Sequence, residues 1–503
     1  MKTIWKGQGT PYDALGADIE CDTAVIGGGI AGLWCAYNLV NAGQRVCVLE
    51  AKSVGSGVTS GSTAILTYAQ DVIYKPLIRK HGRDAAARYL DDTKNAIEGI
   101  KKVITENKVD CEFELTEFTL FSTKRKGSRA LGKEIKAYKK LDTDIEPSHE
   151  TDLPYRVRRA LRFGDCYQFN PVKLCAWLAD YIVKKGSKIY EDTLVVDGPD
   201  GNTLKVGEHG EYTVTAKNFI VATHFPYINL PGFYWLKMYQ DQNYAMAFKP
   251  VKGFLEFCKG KSYESIDKTG FEYRRIGDKI LIDGVSVRVG QKPYKSKYRV
   301  IEAHLNKHFG DYTEVTRFMA QDCITVDKLP YAGRYSNFAD NVFVVTGFNK
   351  WGMTNSYITA GVVCDMILGR VDVDASTDEN IYSPQRIALA VNPIETVGNV
   401  AVIAASFAND LLCLDAKKFE RIKPGQGAVI RHRGKRLGAS RDDSGRVSII
   451  SAICPHLGCN LKWNKDERTF DCPCHGSRFD TKGNLINNPS TKNAECIKCK
   501  VGP

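Results

Sequence analysis

Apolar and polar positions follow one rhythm in the first three quarters of this chain and another in the last quarter. Near the start, Thr23-Ala24-Val25-Ile26 is a short β-branched run that predicts a buried strand. It leads through Gly27-Gly28-Gly29-Ile30-Ala31-Gly32 into a helix-like segment, Leu33 to Ala42. A second apolar strand, Arg45 to Leu49, ends on Glu50. Asn170 through Gly186 reads as a helix before a strand at Thr193-Leu194-Val195, and Ser356 to Leu368 reads as the last helix of this part. Alternating strands and helices predict a doubly wound α/β domain, with an antiparallel lobe inserted at about 90–165 and again at about 230–315. Downstream, Ala428-Val429-Ile430, Arg436 to Ala439 and Val447 to Ile450 are short strands separated by Arg433-Gly434 and Asp443-Ser444-Gly445. They predict a small all-β sandwich. A polar, acidic stretch from Val371 to Pro384 marks the boundary. The expected division is therefore 1–375, a connecting stretch 376–412 whose Val397 to Ala408 forms an amphipathic helix, and 413–503.

Length and composition agree with more than one domain, since 503 residues exceed the size at which a single core stops growing. No stretch reaches the roughly 18 consecutive apolar residues of a membrane span, so no transmembrane segment is expected. The first apolar run is the glycine-flanked strand itself, which argues against a signal peptide and for the cytoplasm. Most of the 16 cysteines are scattered, as buried reduced thiols are. The net charge of +12 is concentrated in runs such as Lys124-Arg125-Lys126, which read as a solvated basic face or as steering for an acidic electron-transfer partner. Nothing resembling a recognition helix points to nucleic acid.

Strand, G-x-G-x-x-G, helix, strand and acid in this order form a dinucleotide fingerprint in its required context. Gly27 makes the turn, Gly29 lets the backbone approach a pyrophosphate, Gly32 permits close helix–strand packing, and Glu50 is the acid for ribose hydroxyls. The fingerprint alone does not separate FAD from NAD.

Near the C-terminus the chain reads Cys454-Pro455-His456-Leu457-Gly458-Cys459 and then Cys472-Pro473-Cys474-His475-Gly476-Ser477. Each box offers a thiolate and an imidazole from one tight turn. A structural zinc site is the competing reading, disfavoured because zinc knuckles rarely repeat both patterns together. The boxes resemble a Rieske 2Fe-2S site, in which two cysteines hold one iron and two histidines the other. That resemblance implies Cys454 and Cys472 on the first iron, His456 and His475 on the second, and a disulfide between Cys459 and Cys474. Phe479 stands where high-potential relatives carry a hydrogen-bonding tyrosine, which places the expected potential in the middle of the Rieske range of about −150 to +300 mV.

Three further segments resemble the FAD-dependent oxidoreductase superfamily of D-amino-acid oxidase, glycine oxidase and sarcosine oxidase. They are Gly57 to Ala64; Asn170 to Val195 with Ala222-Thr223-His224; and Thr325 to Arg334 with Thr346 to Thr354. The resemblance implies non-covalent FAD, because Ala320 occupies the position of the attachment cysteine of sarcosine oxidase. It implies a cradle of Gly27, Gly29, Ile30, Ala31, Gly32, Glu50, Ala51, Ser62, Thr63, Val195, Thr223, Gly347, Gly352, Met353 and Thr354. The whole chain is similar to FAD-dependent oxidoreductases that carry a C-terminal Rieske domain.

In such relatives an arginine and a tyrosine clamp a substrate carboxylate, so Tyr273, Arg274 and Arg288 are candidates, with Lys350 beside the closing motif. His304, His308 and Asp311 could be drawn as the iron site of a Rieske oxygenase, but a helix-surface pair is the commoner meaning of that spacing, and oxygenase boxes lack the spare cysteines. Two functions remain. One is an enzyme, a dehydrogenase in preference to an oxidase, taking two electrons from a small amine, amino acid or hydroxy acid and passing them through the cluster to an external protein or quinone. The other is a relay between two redox partners with no small-molecule substrate.

Overall fold

The β-branched run lies in strand Ile19–Ile26, at the middle of a seven-stranded sheet. Its neighbours are Val46–Leu49 and Tyr212–Val221, both parallel to it. Lys188–Tyr190 and Ala339–Thr346 extend the parallel part, and Tyr331–Ser336 and Thr203–Val206 add antiparallel strands. Strands covered on both faces need apolar residues without alternation. Val25 accordingly packs into one core, while Ala24 and Ile26 pack into another. Helices Ile30–Asn41, Pro171–Lys184 and Gly352–Ile367 share the Val25 side. The Asn170 side chain caps the second of them by accepting from the amides of Val172 and Lys173. The computed structural model describes residues 3–497 apart from 6, 8, 149, 208, 252–253, 255, 291–295, 373–379, 387–391, 409–413 and 416–419.

A second sheet of nine strands forms the inserted lobe. Its order begins Tyr312–Thr325, Met238–Pro250, Lys279–Arg288, Phe271–Ile276, Lys261–Ser265, and continues through Glu114–Ser122 and Arg159–Gln168 to Ile65–Leu66. All pairings are antiparallel except that of Lys261–Ser265 with Glu114–Ser122. The lobe thus takes in residues before 90 and after 315, because Ile65–Leu66 and the second half of Tyr312–Thr325 continue the same sheet.

Two four-stranded sheets make the C-terminal unit. The first contains Gly427–His432, Lys435–Arg441 and Val447–Ser451, where the sequence predicts strands, with Leu414–Asp415 at its edge. Lys462–Asn464, Thr469–Asp471, Arg478–Phe479 and Leu485–Asn487 make the second. Helix Pro393–Ala408 joins the two parts and is anchored at Asn399, which donates to the Leu236 carbonyl at 2.9 Å. Arg386 pairs with Asp327 through two bonds of 2.9 and 3.2 Å, both side chains being buried, so the described part of the connection is held against the first domain. Among the described residues no helix is long and apolar enough to cross a membrane.

Candidate functional site

A cavity of about 1400 Å³ opens where the two sheets and the C-terminal unit meet. The glycine loop forms one end. Gly27 has φ of 111°, and a Cβ there would lie 2.6 Å from the Ala222 carbonyl oxygen. At Gly32 a Cβ would come within 1.9 Å of the Gly27 carbonyl oxygen, which is the close packing the fingerprint requires. Gly29 faces open space, its nearest neighbour being Thr59 Oγ1 at 3.4 Å. The Glu50 carboxylate accepts from the amides of Gly28 and Lys52 at 2.7 and 2.9 Å; burial raises its pKa. Ile30, Ala31, Ala51, Ser62, Thr63, Val195, Thr223, Gly352 and Met353 line the same space.

Three expected cradle residues lie behind the wall. Gly32 packs against the loop, Gly347 turns the chain at φ of 74° beside Thr325 and Met238, and Thr354 accepts from Gln70 at 2.9 Å. A backbone cradle that a side chain would fill, at the start of a helix, suits a dinucleotide pyrophosphate. Ala320 lines the cavity, whereas the Cys323 thiol turns to the His224 carbonyl at 3.4 Å.

The expected carboxylate clamp is not assembled. Tyr273 faces the opposite side of its strand, where its hydroxyl meets Tyr155 at 2.9 Å and His304 Nε2 at 2.5 Å. Arg288 stacks over the Tyr239 ring and donates to Asn399 at 2.5 Å. Arg274 is spent on the main-chain carbonyls of Thr63, Ala64 and Phe169. In each case strand register and a buried partner, not a ligand, fix the side chain. Lys350 does reach the cavity and donates to Asn243 and Ser286 at 3.2 and 2.9 Å. Around it stand Asp241, Glu264, Glu272, Asp283 and Asp322, which sequence reasoning passed over. The available signal was a single acid set among residues that alternation sends to the core, as in Phe271-Glu272-Tyr273.

His304 and His308 pack ring to ring on helix Lys297–His308, but not as a simple surface pair: His304 turns inward, its ring on buried Phe271 and Nε2 bonded to the Tyr273 hydroxyl.

The two cysteine–histidine boxes form facing loops. The Cys459–Cys474 disulfide ties them together. Cys454, Cys472 and His475 are buried, and the His456 and His475 rings lie 5.0 Å apart. The sulfurs of Cys459, Cys472 and Cys474 also lie within 4.8 Å of one another, but two of them are bonded together and have no free thiolate for a metal. Cys454 is held below the usual thiol range, first by Cys472 and then by the amides of His456 and Leu457 and the Ser477 hydroxyl. Burial lowers His456 to about 4 and His475 to about 3, which keeps both rings neutral as metal ligation requires. His456 Nδ1 and both ring nitrogens of His475 are buried without a hydrogen-bond partner. Orphaned imidazole nitrogens facing paired thiols fit a Rieske cluster better than a dry core, where each would cost about 1–3 kcal/mol.

The loops pack against the first domain. Gln240 donates to the His475 carbonyl at 2.6 Å, Gln321 to the Gly476 carbonyl at 2.9 Å, and His456 Nε2 meets Asn229 Oδ1 at 2.5 Å. Phe225 and Trp235 flank His475. Asn488 donates to the carbonyls of Thr223 and Phe225 at 2.5 and 2.8 Å, so the C-terminal unit walls the cavity with residues such as Leu485, Ile486 and Asn488. None of these polar contacts was legible in the sequence.

Residues 22–366 match the family model for the FAD dependent oxidoreductase, and 414–498 match that for the Rieske [2Fe-2S] domain. The chain belongs to the FAD-dependent oxidoreductase family and carries a C-terminal Rieske domain, so its cofactors are FAD and a 2Fe-2S cluster. YhfW of Bacillus subtilis (strain 168), named a Rieske 2Fe-2S iron-sulfur protein, is 34% identical over 498 residues, covering 98% of this chain and 96% of its own. Gamma-glutamylputrescine oxidoreductase of Escherichia coli (strain K12) is 24% identical over 379 residues, 71% of this chain and 86% of its own. Among solved structures, glycine oxidase from Geobacillus kaustophilus superposes with a TM-score of 0.60 at 18% identity, covering 73% of this chain and 99% of that one.

Proposed function

We propose that the protein is a dehydrogenase that oxidises the carbon–nitrogen bond of a small amine or amino acid and passes the electrons one at a time to its own cluster and on to an external acceptor. The observation that carries this reading is a single cavity bounded by the glycine cradle, by the acid-lined sheet and by the cluster-bearing unit. A walled pocket suits a small substrate; a relay between two partner proteins has no use for one.

The balance is that CH–NH loses two electrons and two protons to become C=N, which water hydrolyses. Bound FAD would accept the hydride, and the cluster would carry single electrons. The chain's part is to bind and orient. Gly27, Gly29 and the amides of helix Ile30–Asn41 would cradle the pyrophosphate, and Glu50 would take the ribose. The amides of Gly352 and Met353, at the N-terminus of helix Gly352–Ile367, would supply positive charge to the flavin ring. Cys454, Cys472, His456 and His475 hold the cluster. Gln240, Gln321 and Asn229 fix its loops, and His224, beside Gln240, lines the cavity. We further propose the domain limits 1–375, 376–412 and 413–503, with cytoplasm as the site of action.

Purified protein is expected to hold about two irons and one flavin per chain. Anaerobic addition of substrate should bleach the flavin and then the cluster. Zinc in place of iron, or a flavin that no amine or amino acid bleaches, would refute the proposal.

A further inference from the structure

Register brings three carboxylates into one row. Strands Lys261–Ser265, Phe271–Ile276 and Lys279–Arg288 are adjacent and antiparallel, with Glu264 opposite Glu272 and Glu272 opposite Asp283. Alternation sends their neighbours Tyr263, Tyr273 and Ile282 into the lobe's core, so the acids share the cavity face. Asp283 is opposite Ala245 on the next strand, so Asp241 and its partner Asp322 stand outside the row, further along their strands but on the same cavity, where Asn243 donates to Asp322 at 2.5 Å.

Like charges directly opposite one another on a sheet are destabilising, and buried carboxylates are costly without partners. Here both costs occur together. The buried Glu264 Oε2 has no hydrogen-bond partner. Burial and mutual repulsion push Glu264 and Asp283 well above the usual carboxylate range. The cations near the row are Lys350, held by Asn243 and Ser286, Arg274, held by three carbonyls, and Lys268 and Lys328, which also line the cavity, Lys268 from an exposed turn. No arginine among the described residues lines the cavity. A floor of this kind repels the carboxylate of an amino acid and is completed by a cation.

We propose, resting on the amine-oxidising reading above, that the substrate is an aliphatic diamine or polyamine whose distal ammonium groups bind the Glu264–Glu272–Asp283 row. With strands about 4.8 Å apart, the three carboxylates span roughly 10 Å, a reach that suits successive nitrogens of a propane- or butane-diamine unit.

The test uses the full-length protein with both cofactors. 1,4-Diaminobutane and spermidine are titrated against butylamine, glycine and D-alanine, reading the flavin absorption band and the Tm. The polyamines should perturb the flavin and raise the Tm at concentrations at least tenfold below those needed for butylamine, and the amino acids should do neither. Glu264→Gln and Glu272→Gln should each weaken spermidine binding at least tenfold. Their ligand-free Tm should hold or rise, because the substitution relieves repulsion; that separates lost recognition from lost folding. Equal response to butylamine, tighter response to glycine, or spermidine affinity unchanged in both variants would overturn the proposal. Polyamine binding without anaerobic bleaching would support this ligand class and count against the oxidation reading. Bleaching by an amino acid alone would do the reverse.

Discussion

Gln240 reaches from the inserted sheet to the main-chain carbonyl of His475, 2.6 Å away, and Gln321 on the adjacent strand donates both to Gln240 and to the carbonyl of Gly476. The second cluster box is thus fastened to the sheet that floors the cavity. A buried carbonyl left without its donor costs about 1–3 kcal/mol. Gln240→Leu combined with Gln321→Leu should loosen the docking and slow cluster reduction after the flavin is reduced, while iron and flavin contents stay at wild-type levels. In the wild type the two centres share one chain, so the rate should not depend on protein concentration. Stopped-flow traces at several dilutions check both statements, and a wild-type rate proportional to concentration would mean that transfer is intermolecular.

Gly29→Val should abolish FAD binding. A side chain there enters the space where the backbone meets the pyrophosphate, and only Thr59 stands near it, so the fold itself has room. The 2Fe-2S signal should persist, because its ligands lie in another unit. Gly32→Val is the contrasting variant: its Cβ would collide with the Gly27 carbonyl oxygen at 1.9 Å, so soluble yield should fall along with both cofactors. Flavin-to-iron ratios of the two purified variants distinguish a blocked cradle from a broken fold.

These glycines also show how far the sequence could be read. A cradle made from consecutive residues declares itself, because Gly27, Gly29 and Gly32 must be glycine for local reasons of turn and approach. The two cluster boxes declare themselves likewise, since each turn carries its own pair of ligands. The cavity floor does not. Glu264, Glu272 and Asp283 come together only through the register of three strands, and Tyr273 and Arg288 looked like clamp residues because strand direction alone does not say which face a side chain takes. The docking of the cluster was hidden for the same reason: Gln240 and Asn488 are unremarkable polar residues until they meet across 248 positions.

Arg386→Met should destabilise the first domain by about 3–5 kcal/mol, because it strands the buried Asp327 carboxylate without its partner. The Arg386 guanidinium holds that carboxyl below its usual range against the opposing effect of burial. Asp327→Asn with Arg386→Met removes both charges and should recover part of the loss. Denaturant midpoints of the single and double variants measure the coupling.

The carboxylate row makes a signed prediction about pH. Burial raises Glu272 to about 7 and Asp322 to about 6, with Lys350 opposing the shift at both and Asp241 adding to it at Asp322. In the window between the ordinary carboxylate range near 4 and about 7, the folded protein keeps protons that the unfolded chain has released. Stability must then fall as pH rises through that window, by about 3 kcal/mol for Glu272. Glu272→Gln removes this contribution and should flatten the Tm profile between about pH 4.5 and 7 relative to wild type. A polyamine reverses the slope, because it binds the ionised row: spermidine should raise the Tm little at pH 5 and most above pH 7, and the difference should shrink in Glu272→Gln. Thermal melts of the holoprotein across that range, with and without spermidine, give the answer. A wild-type profile that rises with pH no less steeply than that of the variant would show that the row is ionised throughout and that its burial costs the fold nothing.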